Sequence, residues 1–161
     1  MRGGAMPDQI VIFKEPVRMS NEPPLTLKVS RLRPDARLPT KAYQTDACFD
    51  LYCVEPIEVH PNEPVKVRTG IAIELAPGWY AQILGRSSLA AKGVAILGGV
   101  MDPFYRGEWV VCLSSLSHFY IMPGDRVAQF VLNRVAEAIV IEADDLVPTD
   151  RGIKAFGSSG R

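Results

Sequence analysis

The sequence predicts an all-β sandwich or barrel, and three observations carry that reading. Short runs alternate apolar and polar residues with period two, prolines and glycines punctuate the chain between them, and only one short helix is plausible. At 161 residues the chain has the length of one domain and can bury a core of useful size.

Taken in order, residues 1 to about 23 read as an irregular extension, apart from Ile10-Val11-Ile12-Phe13, with Met1 to Ala5 as an expression remnant. Half-buried strands follow at Leu25-Thr26-Leu27-Lys28-Val29, Ile57-Glu58-Val59-His60, Val65-Lys66-Val67-Arg68 and Ile71-Ala72-Ile73-Glu74-Leu75. A helix is expected from Ser87-Ser88 through Lys92, with serine as N-cap and Gly93 as its stop. Val94-Ala95-Ile96-Leu97 and Trp109-Val110-Val111-Cys112-Leu113 read as a β-hairpin whose connection carries chemistry. Arg126 to Leu132 and Ala138-Ile139-Val140-Ile141-Glu142 also read as extended. The resulting division is an extension over 1–23, a β domain over 24–147 and a C-terminal arm over 148–161.

Acidic and basic side chains number 18 each, so no net field draws the chain to nucleic acid or to an anionic membrane. A highly charged substrate must then be held by local groups. No apolar run approaches the roughly 20 residues of a membrane span, and the start lacks the apolar stretch of a secretory signal, so a cytoplasmic location is expected. Cys48, Cys53 and Cys112 are an odd number without metal-like spacing and read as reduced core thiols. His118 reads as an exposed loop histidine, with no second histidine or cysteine at metal spacing.

Three segments carry polar chemistry. Within the hairpin, Gly98-Gly99-Val100-Met101-Asp102-Pro103-Phe104-Tyr105-Arg106-Gly107 sets a carboxylate three residues from an aromatic ring, between glycines that let a ligand approach the backbone. Alone, it is equally an ordinary turn in which Asp102 caps its own backbone before Pro103. Gly85-Arg86-Ser87-Ser88 offers a guanidinium, two hydroxyls and free N–H groups suited to phosphate oxygens, although serines beside an arginine are also common as plain structure. The tail from Arg151 to Arg161 combines cations, hydroxyls and glycines with Phe156; it is either a frayed end or an arm that stacks its phenyl ring on a flat base.

Together, five segments in order resemble the motifs of the homotrimeric dUTP pyrophosphatases (dUTPases). They are Ala47-Cys48-Phe49-Asp50-Leu51, Gly85 to Ala90, Gly99 to Gly107, Gly124-Asp125-Arg126-Val127-Ala128-Gln129, and Arg151 to Gly160. The resemblance implies a jelly-roll-like β fold, a homotrimer with three sites at subunit contacts, Mg²⁺ on the triphosphate, and hydrolysis of dUTP to dUMP and pyrophosphate. It implies Asp102 as general base and Tyr105 beneath the deoxyribose, where it excludes a 2′-hydroxyl. Main-chain groups of Gly99, Val100 and Met101 read the uracil edge. Arg86, Ser87, Ser88 and Gln129 hold phosphates; Asp50 and Asp125 are supporting or structural carboxylates, Arg126 lies behind the phosphate-binding groups, and no side chain ligates the metal directly. Arg151, Phe156, Gly157, Ser158 and Ser159 close over the substrate.

Cys48 and Phe49, Gly85, Ser88, Phe104 and Lys154-Ala155 depart from the usual motif residues. The second motif also resembles the related dCTP deaminases. Those need a glutamate on the strand after the hairpin and an arginine after the Arg-Ser-Ser segment, where this chain has Cys112 and Ala91, which cannot do that acid–base work. A third reading keeps the fold as a nucleotide sensor for a regulatory protein partner, with the loop from Ser114 to Tyr120 and the N-terminal extension as its surface.

Overall fold

The computed structural model describes residues 23–150 and 152–153. Among the described residues eleven strands and one helical turn follow one another: β1 Lys28–Arg31, β2 Phe49–Tyr52, β3 Ile57–Val59, β4 Val65–Arg68, β5 Ile71–Glu74, β6 Trp79–Leu84, α1 Ser87–Ala90, β7 Val94–Ile96, β8 Val100–Met101, β9 Val110–Ser115, β10 Phe119–Ile121 and β11 Arg126–Arg134. Every ladder between these strands is antiparallel. They form a four-stranded sheet in the order β2-β11-β6-β8, a three-stranded sheet β4-β9-β7, and the pairs β1-β5 and β10-β3. The all-β expectation is met.

Period-two patterning explains which faces meet. In β9, Val111, Leu113 and Ser115 are buried while Val110, Cys112 and Ser114 are half-buried between them. β11 buries Val127, Ala128 and Phe130, its register shifting between Arg126 and Ala128 against β2. The inner faces close on one core that includes Leu51, Val59, Val67, Ile73, Leu113 and Phe130. Phe130 stacks on Phe49 with centroids 5.2 Å apart and meets the edge of Trp109 at 5.0 Å. Removing such a side chain from water contributes roughly 1.5–3 kcal/mol each.

β7 and β9 form the expected hairpin, with Val94 opposite Ser115 and Ile96 opposite Leu113. Its connection does more than turn. β8 lies within it and pairs with β6, Met101 opposite Ala81 and Val100 opposite Gln82, so the connection stitches one sheet to the other.

Three expectations about elements need correction. The first strand is Lys28–Arg31 rather than 25–29, because its position is set by the ladder to β5, where Lys28 faces Glu74 and Arg31 faces Ile71. The helix is a single turn capped by the backbone of Arg86, with no side-chain cap, so neither serine is its N-cap. Residues 138–142 form no strand, and Ile139, Val140 and Ile141 are 90%, 95% and 78% exposed, since no partner strand lies beside them in one chain. Ile10 to Phe13 lie outside the described residues. Among the described residues no helix is long and apolar enough to cross a membrane.

Candidate active site

Three of the five segments meet in one pocket of about 310 Å³, lined by Asp46, Ala47, Cys48 and Asp50 from around β2, Arg86, Ser87 and Ser88 from α1, and Arg126 and Gln129 from β11. Strand order explains the meeting, because β11 lies between β2 and β6 and carries its side chains to the end where α1 begins. Asp50 organises the wall: its Oδ1 accepts from Arg86 Nε at 2.9 Å and its Oδ2 from an Arg126 guanidinium nitrogen at 3.2 Å. Arg86 also donates to the Arg126 carbonyl at 3.2 Å, and Gln129 Nε2 donates to the Gly85 carbonyl at 2.8 Å. With both oxygens of Asp50 taken by guanidinium groups, its task is to aim two cations. The Ser87 and Ser88 side chains are exposed at the rim. A one-turn helix adds little dipole, so what this pocket can offer an anion is guanidinium, hydroxyl and amide groups.

Asp125 braces a turn: its Oδ2 accepts from the Met122 N–H at 2.8 Å. Cys48 lines the pocket and is half-buried, unlike Cys53, which lies in the core. Burial, as the main cause, raises the thiol pKa of both.

The second centre is the hairpin connection. Ile83 N–H donates to the Gly99 carbonyl at 2.7 Å, so these two residues form a hydrogen-bonded pair. By the alternation of an antiparallel ladder, Val100 then turns its N–H and C=O away from β6, toward the open edge of the sheet. Of the three residues expected to offer main-chain groups, Val100 is the one whose groups face outward. Gly99 has φ +144°, and a Cβ there would fall 2.7 Å from the Ile83 Cβ, so only glycine lets the edge strand approach so closely. The groove beside it, about 610 Å³, is lined by Ile83, Leu84 and Ala95 through Val100.

Past β8 the loop is braced by its own groups. Tyr105 N–H donates to the Asp102 carbonyl at 3.2 Å, the Tyr105 hydroxyl to the Glu108 carbonyl at 3.1 Å, and Arg106 to the carbonyls of Pro103 and Tyr105 at 2.8 and 3.0 Å. The tyrosine lies over Gly107, where a Cβ would collide with its ring. Glu108 anchors the end of the loop, accepting from the Gly70 N–H at 2.8 Å and from Arg68 Nε at 2.9 Å. Asp102 is exposed, and its carboxylate accepts no hydrogen bond from the described residues, so it does not cap its own backbone. Arg106 and Glu108 were not singled out from the sequence. Their signal is the charge on either side of Gly107, close to the aromatic pair Tyr105 and Trp109.

The register also separates the two centres. Met101, the last residue of β8, faces Ala81, and Asp102 follows it away from the end of β6 that leads to Arg86. At about 3.3 Å per residue this places Asp102 roughly 15–20 Å from the Arg86 pocket of the same chain. Asp102 and Tyr105 line neither pocket described above. Arg151, Phe156, Gly157, Ser158 and Ser159 lie outside the described residues.

A family model described as dUTPase matches residues 34–160. The chain belongs to the dUTPase family. It is 45% identical over 142 residues to the deoxyuridine 5′-triphosphate nucleotidohydrolase of Hydrogenobaculum sp. (strain Y04AAS1), which covers 84% of this chain and 99% of the relative. The enzyme of the same name from Wolinella succinogenes is 39% identical over 148 residues, covering 89% and 99%. Among solved structures, a Staphylococcus bacteriophage 80alpha dUTPase with dUpNHpp superposes with TM-score 0.77 at 24% identity, over 84% of this chain and 99% of that one. A mutant dUTPase of S. aureus phage phi11, described with a structural Mg(II) ion, gives TM-score 0.70 at 21% identity over 74% and 97%. The last two matches bear on the fold, which is that of the dUTPases. Membership gives the five segments one context: the pocket around Arg86 gathers the first, second and fourth, and the hairpin holds the third.

Proposed function

We propose that this chain hydrolyses dUTP to dUMP and pyrophosphate, with water attacking the α-phosphorus and Asp102 as general base. The observation that carries the assignment is membership of the dUTPase family, with relatives named as deoxyuridine 5′-triphosphate nucleotidohydrolases at up to 45% identity over most of the chain. In-line displacement needs an oriented water, a base for its proton, and cations to absorb charge moving onto the leaving pyrophosphate. Asp102 supplies an accessible carboxylate whose oxygens are not already engaged by described neighbours. Arg86, held by Asp50, supplies fixed positive charge, while Ser87, Ser88 and Gln129 bind phosphate oxygens. Val100, with the neighbouring backbone of Gly99 and Met101, reads the uracil edge in a groove that excludes a 5-methyl group. Tyr105, pinned over Gly107, packs against the deoxyribose. Arg151, Phe156, Gly157, Ser158 and Ser159 form an arm that closes over base and phosphates.

Mg²⁺ fits this donor set as an ion carried by the substrate. Of the two carboxylates lining the pocket, Asp50 has both oxygens on arginines and Asp46 accepts from the Tyr43 N–H at 2.9 Å, so the triphosphate itself would supply most of the metal's oxygen ligands. Carried on the triphosphate, Mg²⁺ would supply positive charge against the charge developing on the leaving pyrophosphate, beside that of Arg86.

We further propose that the active species is a homotrimer with sites shared between subunits. Two observations support it: the separation of Asp102 from the Arg86 pocket along β6, and the exposed, β-branched apolar run Ile139, Val140, Ile141, which has no strand beside it among the described residues. The test of the activity is a substrate panel. With Mg²⁺ the protein is expected to release pyrophosphate from dUTP and far less from dTTP, dCTP or UTP; ammonia release from dCTP, or equal rates on all four, would overturn the assignment.

A further inference from the structure

The chain has two histidines, His60 and His118, and the fold brings both to one carboxylate outside the five motif segments, with His118 lining a cavity of about 820 Å³ that Arg86 and Arg126 also border. Glu58 and His60 are two residues apart at the end of β3, so they leave the same face of the strand, while Val59 between them is buried. β10 runs antiparallel beside it, with Tyr120 opposite Glu58 and Phe119 opposite Val59. Continuing that register sets His118 across from His60. The pairing explains the lack of metal-like spacing along the chain: the two histidines are neighbours across a ladder, 58 positions apart in sequence.

Glu58 Oε1 lies 2.9 Å from His118 Nε2 and 3.9 Å from His60 Nε2, and the two imidazole centroids are 5.4 Å apart. One ligand atom from each of the three residues lies within 4.8 Å of the others. Around a tetrahedral ion with bonds of about 2.0–2.1 Å, ligand atoms stand roughly 3.3–3.5 Å apart, a value these separations bracket. All three side chains are exposed, so small rotamer changes suffice to close the set. Tyr120 donates its hydroxyl to the same Glu58 oxygen at 2.9 Å, a contact that orients the carboxylate from outside the ligand shell. Two imidazoles and a carboxylate with the fourth position left to water suit Zn²⁺, whereas Mg²⁺ prefers oxygen donors throughout.

We propose that Glu58, His60 and His118 form a surface binding site for a divalent transition-metal ion of the zinc class, separate from any Mg²⁺ carried by the nucleotide. The test uses the full chain, stripped with chelator and kept reduced, titrated with Zn²⁺ by calorimetry and with Co²⁺ by visible absorption, alone and with excess Mg²⁺. One ion per chain is expected, undisturbed by Mg²⁺, with cobalt ligand-field bands and no thiolate charge-transfer band. Loss even of an outer-shell partner weakens metal binding about 10–100-fold, so His60→Ala and His118→Ala are each expected to weaken it by at least about tenfold. The melting temperature of the metal-free variants should match that of the parent, since both histidines are exposed. Unchanged affinity in either variant, displacement by Mg²⁺, a thiolate charge-transfer band or no bound Zn²⁺ would overturn the assignment.

Discussion

At the scale of single residues, the contrast between two carboxylates organises the proposed chemistry. Asp50 is buried and fully engaged by Arg86 and Arg126, while Asp102 is exposed on a braced loop with its oxygens left open by the described residues. The first can only orient; the second can take a proton. Asp102→Asn is therefore expected to retain nucleotide binding and to lose roughly 10²-fold or more in kcat, the usual scale for a general base. Steady-state turnover beside a binding titration with a non-hydrolysable dUTP analogue measures both. Cys48 offers an independent check of the pocket. Desolvation, reinforced by Asp46 and Asp50 and opposed by Lys41, holds its thiol above the ordinary range. Less thiolate is then present at neutral pH than for a free thiol, so alkylation of Cys48 by iodoacetamide should be slow near pH 7–8 and should accelerate only at more alkaline pH than a small-molecule thiol requires. Mass spectrometry of the Cys48 peptide follows that rate.

At the scale of elements, what the sequence made legible depends on whether a segment carries its own signal. Val65 to Arg68 declares itself by strict alternation and is β4 to the residue. The β7-β9 hairpin was equally visible, since both strands are apolar and glycines flank the connection. Strand pairing is not written locally, however. The first strand slid from 25–29 to Lys28–Arg31 because β5 sets its register, and residues 138–142 carry a strand pattern with no partner in one chain. The convergence of His60 and His118, and the grip of Glu108 on Arg68 and Gly70, depend on cross-strand neighbours in the same way. At the site, Arg86, Ser87, Ser88, Asp50 and Gln129 could be picked out by residue type and order, whereas the orientation of the Val100 backbone required the β6-β8 register. The arm belongs to this scale too. Truncating the chain after Asp150 should spare assembly and melting temperature while lowering kcat steeply, because closure excludes water and brings Arg151 to charge developing on the phosphates. Phe156→Ala should act more mildly, at about 1–3 kcal/mol of lost base stacking. Kinetics with sedimentation on both variants checks the pair of expectations, and an unchanged kcat after truncation would remove the arm from the mechanism.

At the scale of the whole molecule, the same strand order that gathers three motifs around Arg86 carries the fourth component, Asp102, away from that end of β6. A single α-phosphate cannot touch both centres of one chain across roughly 15–20 Å. In the proposed trimer the hairpin of one subunit therefore completes the Arg86 pocket of another. Complementation between two disabled chains tests this most directly. Asp102→Asn and Arg86→Gln are each expected to be nearly inactive alone. Unfolded together in equal amounts and refolded, they should form mixed trimers in which some sites join an intact Asp102 to an intact Arg86 from different subunits. Random assembly predicts recovery of roughly a quarter of the parental rate of pyrophosphate release from dUTP. Mixed trimers confirmed by native mass spectrometry that stay as inactive as either variant alone would contradict the shared site.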